Sequence, residues 1–214
     1  MGDSVEVTAD GPDEIVFADP WNPTPPLLYK GGGHGGAGGG CFGPLGAGCL
    51  VQQAIKKALE LLANEECAAF IAGDSLYDPA DLLNQLTAGN PQYGNIQVAS
   101  LGPVQGAPVN ATTTSDGTIT RTDLSLDGTP LTNPTVAITM NSNELNWQFS
   151  AGNDYGVSQD TRNGLTILHE LGHAINFLSD GLGGSGIIQD GPQVPGGMAL
   201  SQVNKNNTIK KCLH

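Results

Sequence analysis

Apolar positions recur at helical spacing in four stretches of this chain and at strand spacing in three. From Leu50 to Ala63, the residues Val51, Ala54, Ile55, Ala58, Leu59 and Leu62 return every three or four positions, with Lys56, Lys57 and Glu60 off that face, which predicts an amphipathic helix. A second helix is expected over Glu65–Ala72, stopped by Gly73. A third is expected from Pro79 to Thr87, with Asp78 as N-cap, Pro at the first helical position, and Gly89-Asn90-Pro91 as its stop. Between 95 and 140 the period shortens to two. Ile96–Leu101, Gly117–Leu126 and Pro134–Met140 carry β-branched residues in alternation, with turn signals at Asp116-Gly117 and Asp127-Gly128. They predict a small, mostly antiparallel sheet. Helical period resumes at Asp160 or Thr161, either of which can cap, and runs to a turn at Asp180-Gly181. Beyond it no period persists and an irregular C-terminal tail is expected. Helices, sheet, helix and tail in this order make an α+β fold.

The first forty residues read differently. Val5, Val7 and Ile15–Phe17 alternate weakly, 19–30 is Pro-rich around Trp21 and Tyr29, and 31–40 is nearly all Gly. Residues 1–40 are therefore expected to be an extended, Pro- and Gly-rich linker, and 41–214 the folded domain. A chain of 214 residues is long enough for one domain with a real core.

Charge narrows the function classes. Eight Lys and Arg stand against 21 Asp and Glu, a net −13, which argues against nucleic acid and against an anionic membrane surface. No stretch is apolar enough to span a bilayer. The N-terminus lacks a signal-peptide pattern, since Asp3, Glu6, Asp10, Asp13 and Glu14 interrupt it. Four cysteines, Cys41, Cys49, Cys67 and Cys212, form no C-x-x-C pair, so a zinc knuckle is not expected. Their even number suits two disulfides and an oxidising compartment. A Cys67–Cys212 bridge would pin the C-terminus to the body, and Cys41 and Cys49 could close a small loop, yet all three pairings are open to the sequence.

Chemistry concentrates in the last helix. His169-Glu170-Leu171-Gly172-His173 is an H-E-x-x-H pattern within an apolar run. One helical turn separates the two His, so both imidazoles point the same way and can bind one zinc ion. Glu170 is then close enough to take a proton from a water that the metal acidifies. Ile167, Leu168, Leu171, Ala174, Ile175 and Leu178 share a broad face for the core, with the His pair beside it. Two His and a Glu on such a helix are costly to bury without a partner.

A hydrolytic zinc takes three protein ligands and keeps one position for water. His34 falls in the linker and His214 is terminal, which leaves a carboxylate as the natural third ligand. Asp180 follows His173 by seven residues, and Asp190 follows a Gly-rich excursion from Gly181 to Gly186. Asp190 is favoured, with Asp180 as the alternative. Tyr155 is a candidate oxyanion donor, although a plain loop role suits it better.

The motif resembles the zinc helix of the zincin metallopeptidases. The metzincin continuation fails, because Asn176 and Ser179 stand where it has Gly and His. The resemblance implies a zincin-like fold, a zinc cofactor and a peptide or protein substrate. It also implies a sheet beside the zinc helix whose edge strand pairs with extended substrate, the role expected here for Pro134–Met140. A softer resemblance covers more of the chain. Val5-Glu6-Val7-Thr8-Ala9-Asp10 is similar to the segment after the core of bacterial RHS/YD-repeat proteins. The helical stretch with Cys67, the H-E-L-G-H run, Ile187-x-x-Asp190-Gly191, Asn204/Asn207 and Lys211-Cys212-Leu213 are laid out as in secreted domains attached to such proteins. This implies export within a larger polypeptide. The function expected is a zinc metallopeptidase with Glu170 as general base, and the alternative is a non-catalytic structural or interaction domain of an RHS-type protein.

Overall fold

The computed structural model describes residues 46–103, 109–116, 120–124, 130–132, 135–142, 157–179, 184–190 and 194–214. The expected linker over 1–40 lies outside them.

The helix that carries the His pair, α4 (Gln159–Ser179), is the hub. Every residue from Asn163 to Ile175 is buried, so it is enclosed on all sides rather than laid on a core by one face. Ser158 caps its start, its Oγ accepting from the Thr161 N–H at 3.2 Å. Asp160 and Thr161, the caps expected from sequence, sit inside the first turn instead.

Three helices precede it where the periodicity places them. α1 (Gly46–Leu62) turns Val51, Ala54, Ile55, Ala58, Leu61 and Leu62 inward. It crosses α4 closely at Gly164, where a Cβ would stand 2.9 Å from Lys57 Cγ and 3.2 Å from the Ala58 nitrogen. α2 (Glu65–Ala72) is capped by Asn64, whose Oδ1 accepts from the N–H groups of Glu66 and Cys67. α3 (Pro79–Thr87) is capped by Asp78, accepting from Ala80 and Asp81, with Pro79 at its first turn. Leu82, Leu83 and Leu86 from α3 meet Leu165, Ile167, Leu168 and Leu171 of α4 in one core cluster. Each fully buried Leu or Ile there contributes about 1.5–3 kcal/mol.

The strands β1 (Gly94–Ala99), β2 (Ala111–Asp116) and β5 (Thr135–Asn141) form a mixed sheet in the order β1-β5-β2. β1 runs parallel to β5, with Gly94 opposite Val136, and β2 runs antiparallel to it, with Ala111 opposite Met140. The short strands β3 (Thr120–Leu124) and β4 (Pro130–Thr132) pair antiparallel in a second sheet. One expectation is corrected here. The strand at Pro134–Met140 is not an edge: β5 has a partner on both sides, and Val136, Ile138, Thr139, Met140 and Asn141 are all buried, as in a central strand. Among the described residues, the edge beside α4 belongs to β2, a Thr-rich strand with no apolar alternation to announce it.

The irregular tail is also corrected. Residues Gly197–Cys212 form a helix, α5. Its buried positions, Gly197, Asn204, Thr208, Ile209 and Cys212, do fall at helical spacing. Because two of them are polar, the apolar pattern that marks a helix is missing.

A disulfide joins Cys67 in α2 to Cys212 at the end of α5, closing a separation of 145 residues. Cys49 is also disulfide-bonded. Closing a loop of that length removes chain entropy worth up to about 5 kcal/mol from the unfolded state. The Cys67→Ala/Cys212→Ala double variant should melt roughly 5–15 °C lower by calorimetry. An unchanged midpoint would show that α5 docks without the bridge.

Candidate metal centre

His169 and His173 lie one turn apart on α4 and direct their Nε2 atoms at one point, 3.2 Å from each other. Asp190 meets them there. Its Oδ1 is 3.1 Å from His173 Nε2 and its Oδ2 is 3.3 Å from His169 Nε2. Among the described residues, these three form the group that could hold a metal ion. Asp180, Tyr155 and His34 lie outside the described residues. His214 is exposed at the chain end, where its carbonyl accepts from Asn64.

The size of the cluster is informative. Bonds of about 2.0–2.1 Å in a tetrahedral site put neighbouring ligand atoms about 3.3–3.4 Å apart. The separations here are of similar length, 3.2 Å between the two Nε2 atoms and 3.1 and 3.3 Å from them to the two different oxygens of Asp190. The donor chemistry fits as well, since two imidazoles and one carboxylate suit zinc. A proton can bridge two of these atoms, whereas a divalent cation can bridge all three.

Electrostatics point the same way. Burial works to raise the Asp190 carboxyl, but hydrogen bonds and charge from His169 and His173 hold it well below the usual carboxylate range. Burial works to lower His173, but its hydrogen bond to Asp190 and the charges of Glu170 and Asp190 raise it above the ordinary histidine value. The fold thus keeps a carboxylate anionic at the point where two imidazoles converge.

Asp190 reaches the site on a segment without regular structure, 184–190, which presses against α4 at Gly172. A Cβ on Gly172 would stand 2.3 Å from Ile187 Cγ1 and 2.6 Å from Ile187 Cβ. Glycine inside the H-E-x-x-H motif is therefore the clearance that lets the third ligand approach, despite its helix penalty of about 1 kcal/mol. One helical step further on, Asn176 takes hold of the segment. Its Nδ2 donates to the Ile187 carbonyl at 2.7 Å and its Oδ1 accepts from the Ser185 N–H at 2.6 Å. Thus the residue that breaks the metzincin pattern clamps the strip carrying Asp190.

Glu170 is buried beside the His pair, 7 % exposed. Thr113 of β2 contacts it, its hydroxyl 2.7 Å from Glu170 Oε2 and 3.1 Å from the Glu170 carbonyl. A hydroxyl has one proton to give, and the shorter contact assigns it to the carboxylate. The sequence marked Glu170 but not Thr113, because β2 itself carries no apolar signature.

Two outcomes follow. Gly172→Ala forces Ile187 away from α4, so it should destabilise the fold by about 1–3 kcal/mol and weaken metal binding, read by denaturant melts and zinc titration. Undiminished zinc affinity would show that the segment does not need this clearance. The second concerns pH. In the metal-free protein, the His173–Asp190 pair stabilises fully between about pH 4 and pH 6.5, the ordinary values of the two groups. That contribution is lost as pH rises through the raised value of His173, and again in acid as pH falls through the lowered value of Asp190. The melting midpoint of chelator-treated protein should therefore fall between pH 6.5 and 8, and Asp190→Asn should flatten the fall. Zinc affinity should rise over the same interval, because His173 must shed its proton to bind. A metal-free midpoint that rises there would contradict this assignment.

Comparison of the chain with family models, curated proteins and solved structures finds no match, so the chemistry assigned to the cluster rests on the residues themselves.

Proposed function

We propose that this chain is a zinc-dependent metallopeptidase. The observation that carries the reading is the convergence of His169 and His173 Nε2 on the Asp190 carboxylate, with separations of 3.1–3.3 Å and Glu170 next to the pair on the same helix. His169 and His173 would hold zinc through Nε2 and Asp190 through a carboxylate oxygen. When bound, zinc supplies Lewis acidity that polarises a carbonyl and brings the pKa of a water to about 7. Glu170 accepts the proton of the attacking water and returns it to the leaving amine. Thr113 keeps that carboxylate turned to the task.

The substrate would lie on β2. This strand is at the edge of its sheet and places Thr113 against Glu170. An extended peptide adding to such an edge gains main-chain hydrogen bonds and passes beside the general base. The Cys67–Cys212 bridge favours an oxidising, extracellular setting. The resemblance around residues 5–10 favours export within an RHS-type polypeptide.

One observation favours a second reading, a non-catalytic interaction domain with a structural metal. His169, Glu170 and His173 are each only 7 % exposed, as in a closed structural site. The Glu170→Gln variant separates the two. It should keep its zinc and lose cleavage of unstructured peptides by roughly a hundredfold to ten-thousandfold. Equal cleavage by the variant would overturn the general-base role. Zinc binding without cleavage of a peptide library by the wild type would establish the structural reading.

A further inference from the structure

Asp190 comes from a loop, but a residue on a different helix governs how its carboxylate arrives. Asn204, in the middle of α5, is completely buried. Its Oδ1 accepts from the Ile188 N–H at 2.9 Å. Its Nδ2 donates to the Ile188 carbonyl at 2.7 Å and to Asp190 Oδ2 at 2.7 Å. A side-chain amide has two N–H donors, so both donations are made together.

A clamp for the backbone alone would stop at Ile188, whose two polar groups are already satisfied. The third bond is of another kind. It is charge-assisted, it ends on a carboxylate, and it engages one oxygen only. A carboxylate free to turn would lose the orientation in which its two oxygens face the two imidazoles.

We propose that Asn204 is the positioning residue of the third ligand: by holding Oδ2 and both backbone groups of Ile188 it fixes the orientation in which the Asp190 carboxylate meets the two imidazoles. In that orientation Oδ1 stands 3.1 Å from His173 Nε2 and Oδ2 stands 3.3 Å from His169 Nε2. The inference rests on the metal-centre reading. It adds α5 to the site, a helix that no element of the H-E-x-x-H motif touches in sequence. Asn176 supplies the internal comparison. It clamps the same segment through Ser185 and Ile187 and, among the described residues, makes no hydrogen bond to Asp190.

A double-mutant cycle on zinc affinity tests this, using chelator competition on the full chain with Asn204→Ala, Asp190→Ala and both together. Asn204→Ala should weaken zinc binding by about 10–100-fold. In the Asp190→Ala background the same change should have almost no further effect, because the residue acts through Asp190. The visible spectrum of the cobalt-loaded protein should change in Asn204→Ala and stay as wild type in Asn176→Ala. Equal losses in both backgrounds, or an unaltered cobalt spectrum, would overturn the proposal. Should Asn204→Ala fail to fold, Asn204→Ser is run through the same cycle, its side chain being too short to span both partners. A wild-type protein that binds no zinc would instead sink the metal-centre reading, so the two failures are distinct.

Discussion

Segment 184–190 brings Asp190 to two imidazoles without forming a strand or a helix, so the backbone groups it turns toward the body must find hydrogen bonds among side chains and neighbouring elements. Asn176 on α4 and Asn204 on α5 meet that demand from two sides, each offering an amide that mimics a strand's N–H and C=O. α2 and the turn after it add two more, with the Phe70 carbonyl accepting from the Gly186 N–H and the Gly184 carbonyl accepting from the Asp74 N–H. Asn141 repeats the device in the sheet. Its amide bonds both backbone groups of Leu101 and the Val109 carbonyl, and so holds the ends of the connection from β1 to β2. That placement sets Thr113 against Glu170. Three asparagines, Asn141 and Asn204 buried and Asn176 half-buried, thus do the aligning that regular secondary structure does elsewhere.

The ligand geometry consequently depends on elements far apart in the chain. α4 supplies two donors, α5 steadies the third, and α2 is bridged to α5 by the Cys67–Cys212 disulfide. The disulfide does not touch the cluster, yet it closes the ring of elements around it. Burial of Asp190 and His173 then follows a consistent electrostatic logic. Each would be driven toward its neutral form alone, and each is driven toward its charged form by the other. The same arrangement presents lone pairs and negative charge to a cation.

Much of this was legible in the sequence where local signals and tertiary packing agree. α1, α2 and α3 show it best, with apolar period, the Asp78 cap, and Gly73 and Gly89 stops all pointing one way. The His pair and Glu170 were legible because one helical turn fixes their relation. The remainder was hidden for specific reasons. α5 buries Asn204 and Thr208, so its inward face looks like a surface. β2 is a run of Thr and Ser, and its value lies in one hydroxyl rather than in apolar burial. The choice between Asp180 and Asp190 could not come from spacing, because the path of 184–190 is set by Gly172, Asn176 and Asn204 together. Asn176 was visible only as a departure from a related pattern, although an Asn three residues after the second His lies on a neighbouring position of the same helix.

The central claim is that His169, His173 and Asp190 hold one metal ion. Elemental analysis of the purified protein beside the His169→Ala variant tests it most directly. The account predicts one zinc per chain in the wild type and its loss in the variant. No zinc in either protein, after reconstitution with excess metal, would contradict it and leave the cluster as a buried hydrogen-bonded triad.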